Sequence, residues 1–203
     1  MHPDLEARKT PASWLYDVGK AYVESGQFES AIEYLRASLD VSKRIGKVRS
    51  IAECLSELGT AYSHLGNFAE AEKVLNESRF LYHRARDNRM VANVSRELGL
   101  LASRSGDANE AVASCLDSYR AAQRAHAPAE TAAAAACLAA LYGQMNNHTE
   151  SQRLCAEAMK RLGEIPSGRM KRQLLEQLVL VLLNQNQLEE ARRLMLEASA
   201  IEE

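Results

Sequence analysis

Five histidines, four cysteines and many dispersed serines are the residues of this chain that could do chemistry. An imidazole beside a thiol or hydroxyl makes an activated nucleophile, and several such groups at helical spacing hold a metal ion. His2, His64, His83, His126 and His148 stand apart, with no H-E-x-x-H and no pair at i, i+4. Cys54, Cys115, Cys137 and Cys155 lack any C-x-x-C spacing, so zinc and haem attachment find no support. Reduced thiols in a cytoplasmic compartment are the expectation. No serine sits in a G-x-S-x-G elbow, and no glycine-rich phosphate loop is present. The residues therefore point away from an enzyme and call for no cofactor and no metal.

The bulk composition narrows the choice further. Hydrophobic residues make up 46% and charged residues 26% of the 203, which lets the chain bury a core and keep a charged surface. Four prolines and ten glycines are sparse punctuation and suit long helices. A net charge of −2 offers no field for phosphates, which disfavours nucleic acid as principal ligand. The sequence has no long apolar run, so no membrane span is expected, and its first residues lack the apolar region of a secretory signal. "MLEASAIEE" at the end reads as mid-helix, so a piece of a longer protein is expected.

The elements that must position any site follow from an internal repeat of 40 residues. Gly59 corresponds to Gly19, Gly99, Ala139 and Val179, and Gly66 to Gly26, Gly106, Asn146 and Asn186. Ala71 corresponds to Ala31, Ala111, Ser151 and Ala191, and Tyr62 to Tyr22, Ala102, Tyr142 and Leu182. Within a unit the apolar residues fall at helical spacing: Leu55, Leu58, Tyr62 and Leu65, then Ala71, Val74, Leu75 and Ser78. The Gly26, Gly66 and Gly106 positions end the first helix of each pair, where a left-handed residue costs glycine nothing. Small residues at Gly59 and Ala71 let two helices cross closely. The pattern predicts helices over 11–25, 28–45, 47–65, 68–85, 88–105, 108–126, 128–145, 148–162, 168–185 and 188–202. Asp87 and Ser167 are expected N-caps, Pro128 suits a first turn, and 163–168 is the longest link. The basic corner 42–49 reads as a solvated helix end. The expected fold is all-α, with five antiparallel hairpins over 11–46, 47–86, 87–127, 128–166 and 167–203 forming one array over 1–203.

Leucine-glycine, tyrosine, a glycine corner, then a small, a bulky and a small residue: this order resembles the tetratricopeptide repeat family, over roughly residues 12–203. The longer unit resembles the arrays of Pins-type spindle-orientation adaptors, kinesin light chains and bacterial peptide-sensing regulators. "ASWLYDVGKAYVESGQFESAIEY" also resembles, faintly, subunits of ciliary dynein-arm docking complexes. The resemblance implies a right-handed superhelical solenoid with first helices lining a concave groove that binds protein or peptide. It also implies a non-catalytic scaffold in the cytoplasm, with cytoskeletal or ciliary placement as a variant. The alternative is a regulatory sensor of a short signalling peptide that controls an absent effector domain.

Helical phase then gives the groove-facing residues. They are Tyr16, Lys20 and Glu24, then Glu53, Ser56, Glu57, Thr60 and His64. Asn93, Arg96, Glu97, Leu100 and Arg104 follow, then Ala133, Ala136, Cys137, Ala140 and Gln144, and last Gln173, Glu176, Gln177, Leu180, Leu183 and Asn184. The first three units are polar and of mixed charge, while alanines and leucines dominate the last two. The expected partner is a peptide or helix of mixed charge with an apolar segment. Leu180 and Leu183 read either as peptide contacts or as the seat of a capping helix, and an uncapped end is also a route to a dimer. The positive pocket with which some family members grip a chaperone's C-terminal carboxylate is missing in every register. Its places carry Tyr16, Lys20, Glu57, Asn93 and Glu97 in the first three units. Cys115 and Cys155 fill bulky core slots, and Trp14 stands at the apolar start of the stack.

Overall fold

Apolar residues recurring every three or four positions, with glycine or asparagine at regular breaks, dictate helices joined by tight corners. The computed structural model describes residues 11–201 and follows that rule. Its α-helices are α1 (Pro11–Glu24), α2 (Phe28–Arg44), α3 (Val48–His64), α4 (Phe68–Arg84), α5 (Asn88–Ser105), α6 (Ala108–Arg124), α7 (Pro128–Gln144), α8 (His148–Arg161), α9 (Arg169–Asn184) and α10 (Leu188–Ser199). They coincide with the predicted helices to within one to three residues. The last helix ends at Ser199 and not, as expected, beyond Ala200 and Ile201, which form a turn; Glu202 and His2 lie outside the described residues.

The corners form as expected. Gly26, Gly66 and Gly106 take φ of 77°, 76° and 89°, and Asn146 and Asn186 both take 58°. Asparagine tolerates this left-handed conformation better than most residues, which is why it can stand in for glycine. The carbonyls freed at the helix end are satisfied locally, as where the Asn67 N–H donates to the Tyr62 carbonyl at 2.9 Å. A second series of left-handed corners escaped the repeat reading: Gly46 (φ 68°), Arg86 (56°) and His126 (50°). A left-handed residue therefore recurs every 20 residues from Gly26 to Asn146.

Asp87 caps α5, accepting from the Met90 N–H at 3.1 Å, and Asp107 and Asn147 cap α6 and α8 in the same way. Pro128 opens α7 as expected. Ser167 is not a cap, which corrects the expectation. Gly168, at φ 151°, occupies that place, so the serine lies one residue too early to reach the free N–H groups of α9. The link before it is partly ordered as a 3₁₀ turn (Leu162–Glu164), with Leu162 and Ile165 buried in the core.

The chain divides into two compact units between Arg86 and Asp87. In the first, α1 pairs with α2 and α3 with α4, α2 packs on α3, and Leu35, Leu55, Leu58, Leu75 and Tyr82 form the core. In the second, α5/α6, α7/α8 and α9/α10 are the hairpins, and α6 packs on α7. Close crossings need glycine: a Cβ on Gly59 would lie 2.4 Å from Leu75 Cγ, and one on Gly99 would lie 2.4 Å from Cys115 Sγ. Each of three hairpins is also tied by a buried serine of its second helix. Ser38, Ser78 and Ser118 donate to the carbonyls of Ala12, Ala52 and Ala92 at 2.7, 2.8 and 2.7 Å. Ala158 takes the same repeat position without a hydroxyl.

In both units the first helices of successive hairpins touch one another, α1 with α3, and α5 with α7 with α9. Among the described residues the second helices make no comparable contact with each other. The first helices are thus the more closely spaced row, which makes that row the inner side of each unit.

Candidate functional site

On the inner row of the first unit, Tyr16 of α1 is half-buried and its hydroxyl donates weakly to Glu57 Oε1 of α3 at 3.5 Å. Burial pushes the Tyr16 phenol far above its usual range, and the Glu57 and Glu53 carboxylates push it further. It is a permanent donor across the two helices. Glu53 is held by Arg49 one turn earlier at 3.1 Å. His64 is exposed but lies flat on the Phe28 ring, with centroids 4.4 Å apart and planes 8° apart. Lys20 is exposed. Two of the predicted residues, Tyr16 and Glu57, are thus brought together, and the others flank them.

On the inner row of the second unit, Arg96 and Glu97 form an ion pair at 2.7 Å with both side chains largely covered. Asn93 and Leu100 are half-buried, and Leu100 packs against the core, whereas Arg104 is exposed at the end of α5. Ala133 and Ala140 of α7 reach the surface in part. Ala136 does not: only 1% of it is exposed, which corrects the expectation that it lines the groove. Cys137 is likewise buried, with its sulfur 2.9 Å from that of Cys115. Alanine side chains are so short that neighbouring helices close over α7 and cover the middle of its inner stripe. Leu180 and Leu183 on α9 are 63% and 44% exposed, on the same helix as the polar Gln173, Glu176 and Gln177.

Sequence reading missed one buried charge in this unit. Glu130, at the start of α7, is 5% exposed and paired with Arg89 of α5. Its signal was a separation of 41 residues, one repeat and a step, the same as between Tyr16 and Glu57. A cleft of about 370 Å³ beside His126, Thr131, Arg161 and Glu164 contains none of the predicted residues. Among the described residues no group of three or more His, Cys, Asp and Glu is placed to hold a metal ion, and no helix is long and apolar enough to cross a membrane. Cys54 and Cys155 are buried fillers, the latter with its thiol pushed up to about 11 by burial.

Residues 10–82 and 131–164 match models of the tetratricopeptide repeat, together more than half of the chain. The chain belongs to the tetratricopeptide repeat family. No curated protein sequence matches it. Among solved structures, its tetratricopeptide repeats are similar to BtubC (BKLC) from P. vanneervenii, at 16% identity and TM-score 0.71 over 94% of this chain and 80% of that one. They are also similar to a putative kinesin light chain with nearly identical TPR-like repeats from Podosopora anserina, at 17% identity and TM-score 0.65 over 95% and 96%. A third similar structure is NprR in complex with its cognate peptide NprX, at 16% identity and TM-score 0.70. That match takes in 95% of this chain and 56% of the NprR chain. Identities this low establish a shared fold of helical hairpins and no more.

Proposed function

We propose that this tetratricopeptide repeat chain is a non-catalytic scaffold whose inner helix row binds a peptide or helix of a partner protein. One observation carries the reading. In the second unit Arg104, the partly exposed Ala133 and Ala140, and the exposed Leu180 and Leu183 lie on one row of touching first helices. A segment charged at one end and apolar at the other fits that order. Alanine lets its backbone approach closely, and the two leucines contribute about 25 cal/mol per Å² of apolar surface removed from water, before association costs.

The test is fluorescence anisotropy with labelled peptides selected from a library that pairs a charged half with an apolar half. Leu180→Glu and Arg104→Glu should each weaken binding about tenfold, or roughly 1.4 kcal/mol, with unchanged circular dichroism. Full affinity in both variants would move the interface off this row. A sensor reading is favoured by one specific likeness, to NprR bound to its cognate peptide, of which this chain matches a part. It predicts compaction in small-angle scattering when a short peptide binds, whereas a scaffold keeps its dimensions.

A further inference from the structure

We infer that Cys115 and Cys137 form an oxidisable dithiol, a modification site at which a small peroxide joins α6 to α7 by a disulfide. The geometry is the ground for this. The two sulfurs are 2.9 Å apart, closer than unbonded sulfurs normally pack, and both residues are buried where α6 packs on α7. A disulfide bond of about 2.05 Å is reached by a movement of less than about 1 Å. The other cysteines have different neighbours: Cys54 donates to Ser38 Oγ at 3.3 Å, and Cys155 lies 4.0 Å from Met159 Sδ.

The repeat makes the pair exceptional. Positions equivalent to Cys137 hold Asp17, Glu57, Glu97 and Gln177, and those equivalent to Cys115 hold Leu35, Leu75, Cys155 and Met195. Two thiols coincide at this step of the repeat alone. Gly99 leaves the room that Cys115 Sγ occupies. The contact with Cys115 lowers the Cys137 thiol below its ordinary value against the burial that raises it, and the Arg96 guanidinium adds to the lowering. Cys137 retains 7% of its surface whereas Cys115 has none, so Cys137 is the sulfur that a peroxide reaches and the nucleophile.

The step balances with hydrogen peroxide as oxidant. The Cys137 thiolate attacks one peroxide oxygen, the O–O bond breaks, and the leaving hydroxide takes a proton to become water. The resulting sulfenic acid is attacked by the Cys115 sulfur, an S–S bond forms, and the sulfenic oxygen leaves as a second water with the Cys115 proton. Two thiols are oxidised and one peroxide is reduced to two waters. Only the first step needs access from solvent.

The experiment treats the full chain with hydrogen peroxide after removal of reductant, then alkylates it unfolded and maps the peptides by mass spectrometry. Loss of two of the four free thiols, with residues 115 and 137 joined, is expected. The thermal midpoint should rise by several degrees and return on reduction, because the link constrains the unfolded chain. Cys115→Ser should leave Cys137 at the sulfenic or a higher oxidation state with no rise, and a Cys54→Ser/Cys155→Ser double variant should behave as wild type. Four intact thiols after peroxide, or a link to Cys54 or Cys155, would overturn the assignment. Because the wild-type peptide map decides between these outcomes, no variant has to fold for the test to work.

Discussion

His126 and Arg86 turn the backbone left-handed at φ of 50° and 56°, a conformation that costs a residue with a Cβ about 1–2 kcal/mol. His126→Gly should therefore raise stability by about 0.5–1 kcal/mol, after allowing for the extra freedom glycine gives the unfolded chain. Gly66→Ala should lower it by a similar amount, since its φ is 76°. Urea midpoints measured at constant m-value decide both, and a lower midpoint for His126→Gly would show that the imidazole contributes more than its backbone costs. The glycine and asparagine corners were legible because those residue types announce the conformation. Arg86 and His126 announce nothing, and only a count of 20 residues from a known corner would have found them. The groove residues divide in the same way. Helical phase left Leu180 and Arg104 outside the core, and both are exposed, but the burial of Ala136 and Cys137 depends on how closely α7's neighbours approach, which one helix's own sequence does not encode.

Helix limits were almost wholly legible, because each helix is bounded by a corner the repeat had already marked. Ser167 failed as a cap for a local reason: a glycine follows it and takes the place where the helix begins. What ties the helices into hairpins was not legible. Ser38, Ser78 and Ser118 lie among apolar positions and read as tolerated small residues, yet each donates to a carbonyl 26 residues earlier. Ser118→Ala should cost about 1 kcal/mol, the usual net value of one hydrogen bond, with helical content unchanged. Equilibrium unfolding followed by circular dichroism checks it, and no loss would mean that the Ala92 carbonyl is served by its own helix alone.

For the whole molecule, the raised thiols of Cys54, Cys115 and Cys155 and the Tyr16 phenol make alkaline pH the vulnerable side. An unfolded thiol ionises near 9.0, whereas burial holds the Cys155 proton until about 11 in the folded chain. Between those values the unfolded state binds fewer protons than the folded one, so stability is fully present below pH 9 and is lost as pH rises through 11. Cys155→Ser removes this contribution, so its urea midpoint should fall less than that of wild type across that window. Equal falls would mean that the thiol titrates alike in both states. The ties between neighbouring first helices also set how the protein is made. Tyr16 with Glu57, and Arg89 with Glu130, join residues 41 apart, so within each unit these first helices find their partners one hairpin away. Contacts this local keep the contact order low and the folding barrier small. Within each unit, a chain leaving the ribosome can therefore close one hairpin onto the last while the next is still being translated, and little apolar surface waits uncovered for chaperones to shield.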